Sequence, residues 1–406
     1  MTVADRPRAP RQPRPRKEPR AKATSRTEND ARERARLLAE LPGRLRLAST
    51  RPDDAQPLLS LSLSYSRLAR LDDLHSPGAP PRWLEKDLAV REKIADLEPG
   101  DDLAAAQLAS GLWRLARALR RKDPVRARSL LVRALEIRDR LADEAPDDAH
   151  RAQTVALTCS GLGRLDGRTD PSRGKTWLVR AEAIRRRISE ASPGSVDALH
   201  DLAFSRLALA RMEEMLSVSS SARAYERWLS TIEQCLELRP DDESLQLDSA
   251  LAELDLAEAL EVEGNPGAED ATRHAVALCR GLARSRPEDP SVQIGLGRAC
   301  LALESLLHRA GRSGGRVAIA REHDRAMRRA ELLGAPGPWF ELLRARSLSL
   351  RGKTDEALAA IESSVARGLD DPDVLLRAAE LRPLLTHARF RAAYERAAGG
   401  PTIPDA

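Results

Sequence analysis

Large apolar side chains are scarce: aromatic residues make up only 3% of the 406-residue chain, with five Trp, three Tyr and three Phe. A compact domain builds its core from several large rings, and a chain that offers Leu and Ala instead suits thin layers of helix on helix. Cysteine is also sparse. Cys159, Cys235, Cys279 and Cys300 form no Cys-x-x-Cys pair and have no His at zinc-ligand spacing, so they read as reduced core residues and no metal is expected. The seven histidines (His75, His150, His200, His274, His308, His323, His387) include no pair one helical turn apart. No apolar run approaches the roughly 18 residues of a membrane span, and the Arg-rich start lacks the apolar stretch of a signal peptide, so a cytoplasmic setting is the default expectation.

Charge is plentiful but unevenly placed. Lys and Arg number 67 against 62 Asp and Glu, a net charge of +5. Residues 1–22 hold eight basic side chains (Arg6, Arg8, Arg11, Arg14, Arg16, Lys17, Arg20, Lys22) against two acids, so the rest of the chain is close to neutral. Net basicity therefore says nothing about the body. Pro7, Pro10, Pro13, Pro15 and Pro19 lie among these arginines, which predicts a disordered tail over 1–27. The tail has two readings: a polyanion contact with nucleic acid, anionic lipid or an acidic partner, or a solubilising extension. A first helix is predicted from Asp30 to Leu41, stopped by Pro42-Gly43, within an N-terminal helical segment 28–50.

What the chain does contain is a period. Pro52, Pro99, Pro146, Pro193, Pro240 and Pro287 lie 47 residues apart, most of them followed by acids. Proline ends a helix, and the Asp or Ser after it can cap the next by accepting from free backbone donors. A second column keeps the same register: Leu68, Leu115, Leu162, Leu209, Leu256 and Leu303 are all leucine. The residue after each is small (Ala69, Ala116, Gly163, Ala210, Ala257) except Glu304. In the second half of each unit, Val90, Ile137, Ile184, Thr231, Leu278 and Ile94, Leu141, Ile188, Cys235, Leu282 form two further columns one helical turn apart. Between the halves sit Ser76-Pro77-Gly78, Asp123-Pro124, Asp170-Pro171, Gly264-Asn265-Pro266-Gly267 and Gly311–Gly315. Each unit is thus a helix, a turn and a helix.

The Leu-small pair, the breaker turn, the second helix and the proline joint resemble the tetratricopeptide repeat (TPR), lengthened from about 34 residues. The resemblance is to the long-helix variety in bacterial repeat proteins, some of them attached to serine/threonine protein kinases. It implies an all-α fold, a right-handed α-solenoid of helix-turn-helix repeats. Six TPR-like units of the 47-residue period would cover 51–335, a near-standard unit 336–372 and capping helices 373–398, before a tail 399–406.

No catalytic constellation emerges. Gly174-Lys175-Thr176 and Gly352-Lys353-Thr354 lack the earlier glycine of a phosphate loop, with Thr169 and Ser347 in its place, and read as simple turns between helices. Tyr65, Trp83, Trp113, Phe204, Trp177 and Trp228 read as packing anchors, Trp83 and Trp177 holding one register two units apart. One column suggests binding: Arg70, Arg117, Arg164 and Arg211 follow the Leu-small pair in four successive units, before Glu258 and Ser305. In the family this face lines the concave groove, where a guanidinium ladder can grip acidic peptide segments; the other reading is solvated surface. The expected function is a non-catalytic, cofactor-free scaffold for a protein or peptide partner. The alternatives are a regulatory or sensor module of a kinase-type signalling system, or polyanion contact through the tail.

Overall fold

A computed structural model describes residues 19–75, 81–216, 221–335, 337–369 and 371–398, of which 19–27 and 74–75 are described by backbone alone. The chain divides into two compact units, Met1–Ala118 and Leu119–Ala406. Both are built of helices, and the fold is an all-α repeat solenoid.

In the first unit, α1 (Pro19–Thr50) packs on α2 (Ala55–His75), followed by α3 (Arg82–Leu97) and α4 (Asp102–Leu119). The helix α1 departs from the expected stop: it runs through Pro42, and its backbone is already helical from Pro19, inside the segment expected to be disordered. Packing on both sides of the proline overrides the missing donor. Leu37 and Leu41 before it and Ala48 after it are buried, and Arg44 donates to Ser64 Oγ on α2 at 2.6 Å. Residues 1–18 and the breaker Ser76-Pro77-Gly78 lie outside the described residues.

In the second unit, helix pairs follow one another: α5 (Pro124–Glu144) with α6 (Ala149–Asp166), then α7 (Pro171–Ala191), α8 (Val196–Leu216), α9 (Ser221–Leu238), α10 (Glu243–Val262), α11 (Ala268–Ser285), α12 (Pro290–Arg309), α13 (Arg316–Leu332), α14 (Pro338–Leu350) and α15 (Thr354–Ala366). A short α16 (Val374–Arg377), a 3₁₀ turn Ala379–Leu384 and α17 (Ala388–Ala398) end the described chain. Phe390, Leu375 and Leu381 from these last elements are buried in one core cluster with α14 and α15.

Each of the six periodic prolines sits in the first position of a two-residue turn, and the residue two places after it caps the following helix. Asp54, Asp101, Asp148, Asp242 and Asp289 each accept from backbone N–H groups of the next helix at 2.8–3.4 Å. Ser195 does the same for Ala198 at 3.3 Å. The cap is therefore a further periodic column, and it answers the orphan donors that every helix start exposes.

The leucine column is the core. Leu68, Leu115 and Leu162 are fully buried and Leu209 and Leu303 nearly so, while Leu256 is half-buried beside buried Leu254 and Ala257. Small partners let the helices approach: a Cβ on Gly163 would lie 2.6 Å from Leu178 Cγ, and one on Gly174 would lie 2.5 Å from Gly167 Cα. The Gly174-Lys175-Thr176 segment is thus no interhelical turn. It lies inside α7, with Gly174 buried at the crossing with α6. Glu304, the exception in the small column, is buried because Arg351 brings two nitrogens to its carboxylate, at 3.0 and 3.3 Å.

One inward-facing column of the second helices is passed over by apolar patterning. Arg44 on α1 and Arg91, Arg138 and Arg185 on the following second helices repeat at the 47-residue interval. Each reaches across to the next first helix. Arg91 donates to the Gln107 carbonyl at 2.9 Å, Arg138 to the Thr154 carbonyl at 3.0 Å and Thr158 Oγ1 at 2.6 Å, and Arg185 to Ser205 Oγ at 2.6 Å. Arg138 and Arg185 are buried among neutral acceptors, and loss of hydration pulls the Arg138 guanidinium down to about 10. A long stem packs like an apolar side chain while the fork satisfies polar atoms between units.

Candidate functional site

Within the second unit, α6 touches α8, α10 touches α12 and α12 touches α14, so the first helices of successive repeats converge. The converging side is the inner face of the stack. Helical spacing sets which residues line it. On α8, Phe204, Ala208, Arg211 and Met215 fall on one stripe, and on α6 the equivalent positions hold Leu157, Gly161 and Arg164, with Arg168 in the turn that follows.

The four arginines singled out from sequence are all solvent-exposed, Arg70 on α2 and Arg117 on α4 in the first unit, Arg164 on α6 and Arg211 on α8 in the second. Among the described residues none of the four pairs with a carboxylate. Two lie against aromatic faces: Arg117 is 5.4 Å from the Trp113 ring centre, and Arg164 is 5.6 Å from that of Phe204. Arg185 approaches the same Phe204 ring at 6.0 Å from between the helices. Protein surrounds the Arg164 head without covering it, so desolvation lowers its pKa, and Arg120 and Arg185 add like-charge repulsion.

Phe204 departs from its expected role. Tyr65, Trp83 and Trp228 are buried as anchors, and the indole N–H groups of Trp83 and Trp177 donate to Asp72 and Asp166 at 2.9 and 3.1 Å, which explains their shared register. Phe204 instead keeps 47% of its surface exposed, with Met215 at 39% further along the stripe. Exposed apolar groups beside unpaired cations distinguish this stretch from ordinary solvated surface.

From α10 onward the same inner stripe is satisfied internally. Arg298 is held by Asp255 and by Glu258 at 3.1 Å, and Arg346 donates to both oxygens of Glu380 at 3.0 and 3.2 Å. Burial alone would lower the Arg298 pKa, but the two carboxylates raise it. Glu258, which replaces arginine in the ladder column, thus pairs with an inner-face arginine of the chain itself, and Ser305, at the next such position, is buried. This second feature was not legible from the column alone, because the partners of Arg298 come from a different repeat.

Other features carry less. A cleft between α7, α8 and α9 is lined by Val179, Glu182, Arg186, Arg206, Leu209, Glu213 and Arg227, but Arg206 pairs with Glu182 at 3.4 Å and Arg227 with Glu213 at 3.7 Å. The cysteines are free and buried, and burial pushes the thiols of Cys159, Cys235 and Cys279 up to about 11. Among the described residues no group of three His, Cys, Asp or Glu gathers as metal ligands, and no helix is long and apolar enough to cross a membrane. Of the basic tail, Arg6, Arg8, Arg11, Arg14, Arg16 and Lys17 lie outside the described residues, while Arg20 and Lys22 fall on the backbone of α1.

No protein-family model matches the sequence. No curated protein matches it either. Solved structures do. A tetratricopeptide repeat protein from Parabacteroides merdae superposes with a TM-score of 0.50 at 13% identity, covering 80% of this chain and 98% of its own. The apo form of RapI superposes with a TM-score of 0.50 at 11% identity, covering 91% of this chain and 96% of its own. At such identities the likeness concerns the fold, and with the periodic leucine, cap and proline columns it shows this chain to be a solenoid of tetratricopeptide type.

Proposed function

We propose that the protein is a non-catalytic interaction scaffold that holds an acidic polypeptide segment on the inner face of its first helices. One observation carries the reading: Arg70, Arg117, Arg164 and Arg211 share one repeat position, are exposed and have no carboxylate partner among the described residues, whereas the inner-face Arg298 and Arg346 are already paired. An unpaired guanidinium presents a fork that matches a carboxylate in two parallel hydrogen bonds. Phe204 and Met215 supply apolar contact beside Arg164 and Arg211, which suits a polypeptide with an apolar residue among its acids.

The test is fluorescence anisotropy with a labelled peptide rich in Asp and Glu and carrying one Leu. Arg164→Ala and Arg211→Ala should each weaken binding about tenfold, ~1.4 kcal/mol, and Arg280→Ala, which removes an arginine already paired with Glu322 at 2.7 Å, should leave it unchanged. Equal affinity across all variants refutes the reading. So does a single-stranded oligonucleotide of matched charge that displaces the peptide fully, since that outcome marks unspecific polyanion binding.

A further inference from the structure

We propose that Arg121, with the positive charge of Arg168 beside it, forms an electrostatic latch that holds the second unit curled on itself by gripping the chain that follows α15. Arg121 lies in the turn between α4 and α5 and Arg168 in the turn between α6 and α7, 47 residues on, so they occupy the same position in successive repeats. Arg121 donates through Nη1 to the carbonyl of Gly368 at 3.3 Å, across 247 residues of chain. Gly368 adopts a φ of +90° just past the end of α15, where the last helical carbonyls carry partial negative charge. A cation there is favourably placed.

Arg168 faces the same region from the next repeat. Its charge is felt at Tyr394 on α17, whose hydroxyl donates to Asp373 at 2.8 Å. Asp371 stands beside it and is held by Arg377 at 2.5 Å. Both Arg121 and Arg168 are exposed. The Arg121 contact joins an exposed charge to a backbone acceptor, and contacts of exposed charges are weak and weaken further with salt. A contact of that kind opens and closes.

The latch is tested without any ligand, so its outcome is independent of whether the inner face binds a peptide. Spin labels are placed on Val125→Cys and Ala366→Cys, which flank the contact, in the full-length chain. The four native cysteines are buried and leave the introduced ones to react. Double electron–electron resonance should show a short-distance population at moderate salt. That population should shift to longer distances at about 1 M salt, where the screening length falls to roughly 3 Å, and in an Arg121→Glu/Arg168→Glu variant whose helical circular dichroism matches the parent. A distribution that stays put under either treatment overturns the proposal.

Discussion

The close crossing of α6 and α7 offers a sharp test of the fold, because two glycine substitutions of identical chemistry should act in opposite directions. Gly174→Ala places a Cβ 2.5 Å from Gly167 Cα, 2.7 Å from Gly167 N and 2.8 Å from the Gly163 carbonyl oxygen. All three are backbone atoms, so no side chain can swing aside, and α6 and α7 must separate by about 1 Å to restore ordinary carbon contact distances. Overpacking of this kind costs about 1–3 kcal/mol, and it more than offsets the ~1 kcal/mol that alanine gains over glycine in a helix. Gly281→Ala on α11 meets nothing within 4 Å and keeps that gain. In a unit of this size each kcal/mol moves the unfolding temperature by about 2–4 °C. Calorimetry at one scan rate should therefore show Gly174→Ala melting a few degrees lower and Gly281→Ala slightly higher. Hydrogen exchange should quicken in α6 and α7 for the first variant alone, since repeat arrays open locally. A Gly174→Ala protein as stable as the parent would refute the close crossing.

Further expectations follow from the polar interior. Arg138→Ala leaves the Thr158 hydroxyl short of a partner and a void behind, and should cost about 2–3 kcal/mol in denaturant unfolding; Arg138→Met keeps the stem without the desolvated charge and should fall within about 1 kcal/mol of the parent. Burial pushes the Asp72 carboxyl up, but hydrogen bonds from Arg34 and Trp83 outweigh it and hold the group below its usual range; Asp242 is lowered mainly by the Ser244 hydroxyl. A depressed carboxylate contributes stability above its unfolded pKa and loses it as pH falls, so thermal stability should drop below about pH 4 and stay level above pH 5. The thiols raised by burial should resist a disulfide reagent in the native state at pH 8 and react fully on unfolding; native labelling of Cys279 would contradict its burial.

Much of the architecture was legible beforehand because repeats impose a register that survives loss of individual motif residues. The leucine column, the small neighbour and the proline joint are backbone and volume requirements, and those act locally: a turn needs its proline and cap, a close crossing needs a missing Cβ. The same locality misled at Pro42, where Leu37, Leu41 and Ala48 all gain burial against α2 and the helix persists. Apolar patterning also passes over the second-helix column in which Arg138 and Arg185 lie in the core. The signal lies in the 47-residue interval from Arg44 to Arg185, in a residue type that hydrophobic patterning does not count.

The candidate site divides in the same way. That Arg70, Arg117, Arg164 and Arg211 share one position followed from sequence alone, since a fixed period puts equivalent residues on equivalent faces. Which arginines stay unpaired did not follow. A guanidinium is free or spent according to the carboxylates that packing brings within about 4 Å, and these come from other helices: Asp255 and Glu258 for Arg298, Glu380 for Arg346, and none among the described residues for Arg164. Sequence determined the helices, their joints and their common register through short-range sterics and capping. Only the tertiary structure decided which charges face one another across the stack, because that depends on how the repeats curve and not on what any one of them contains.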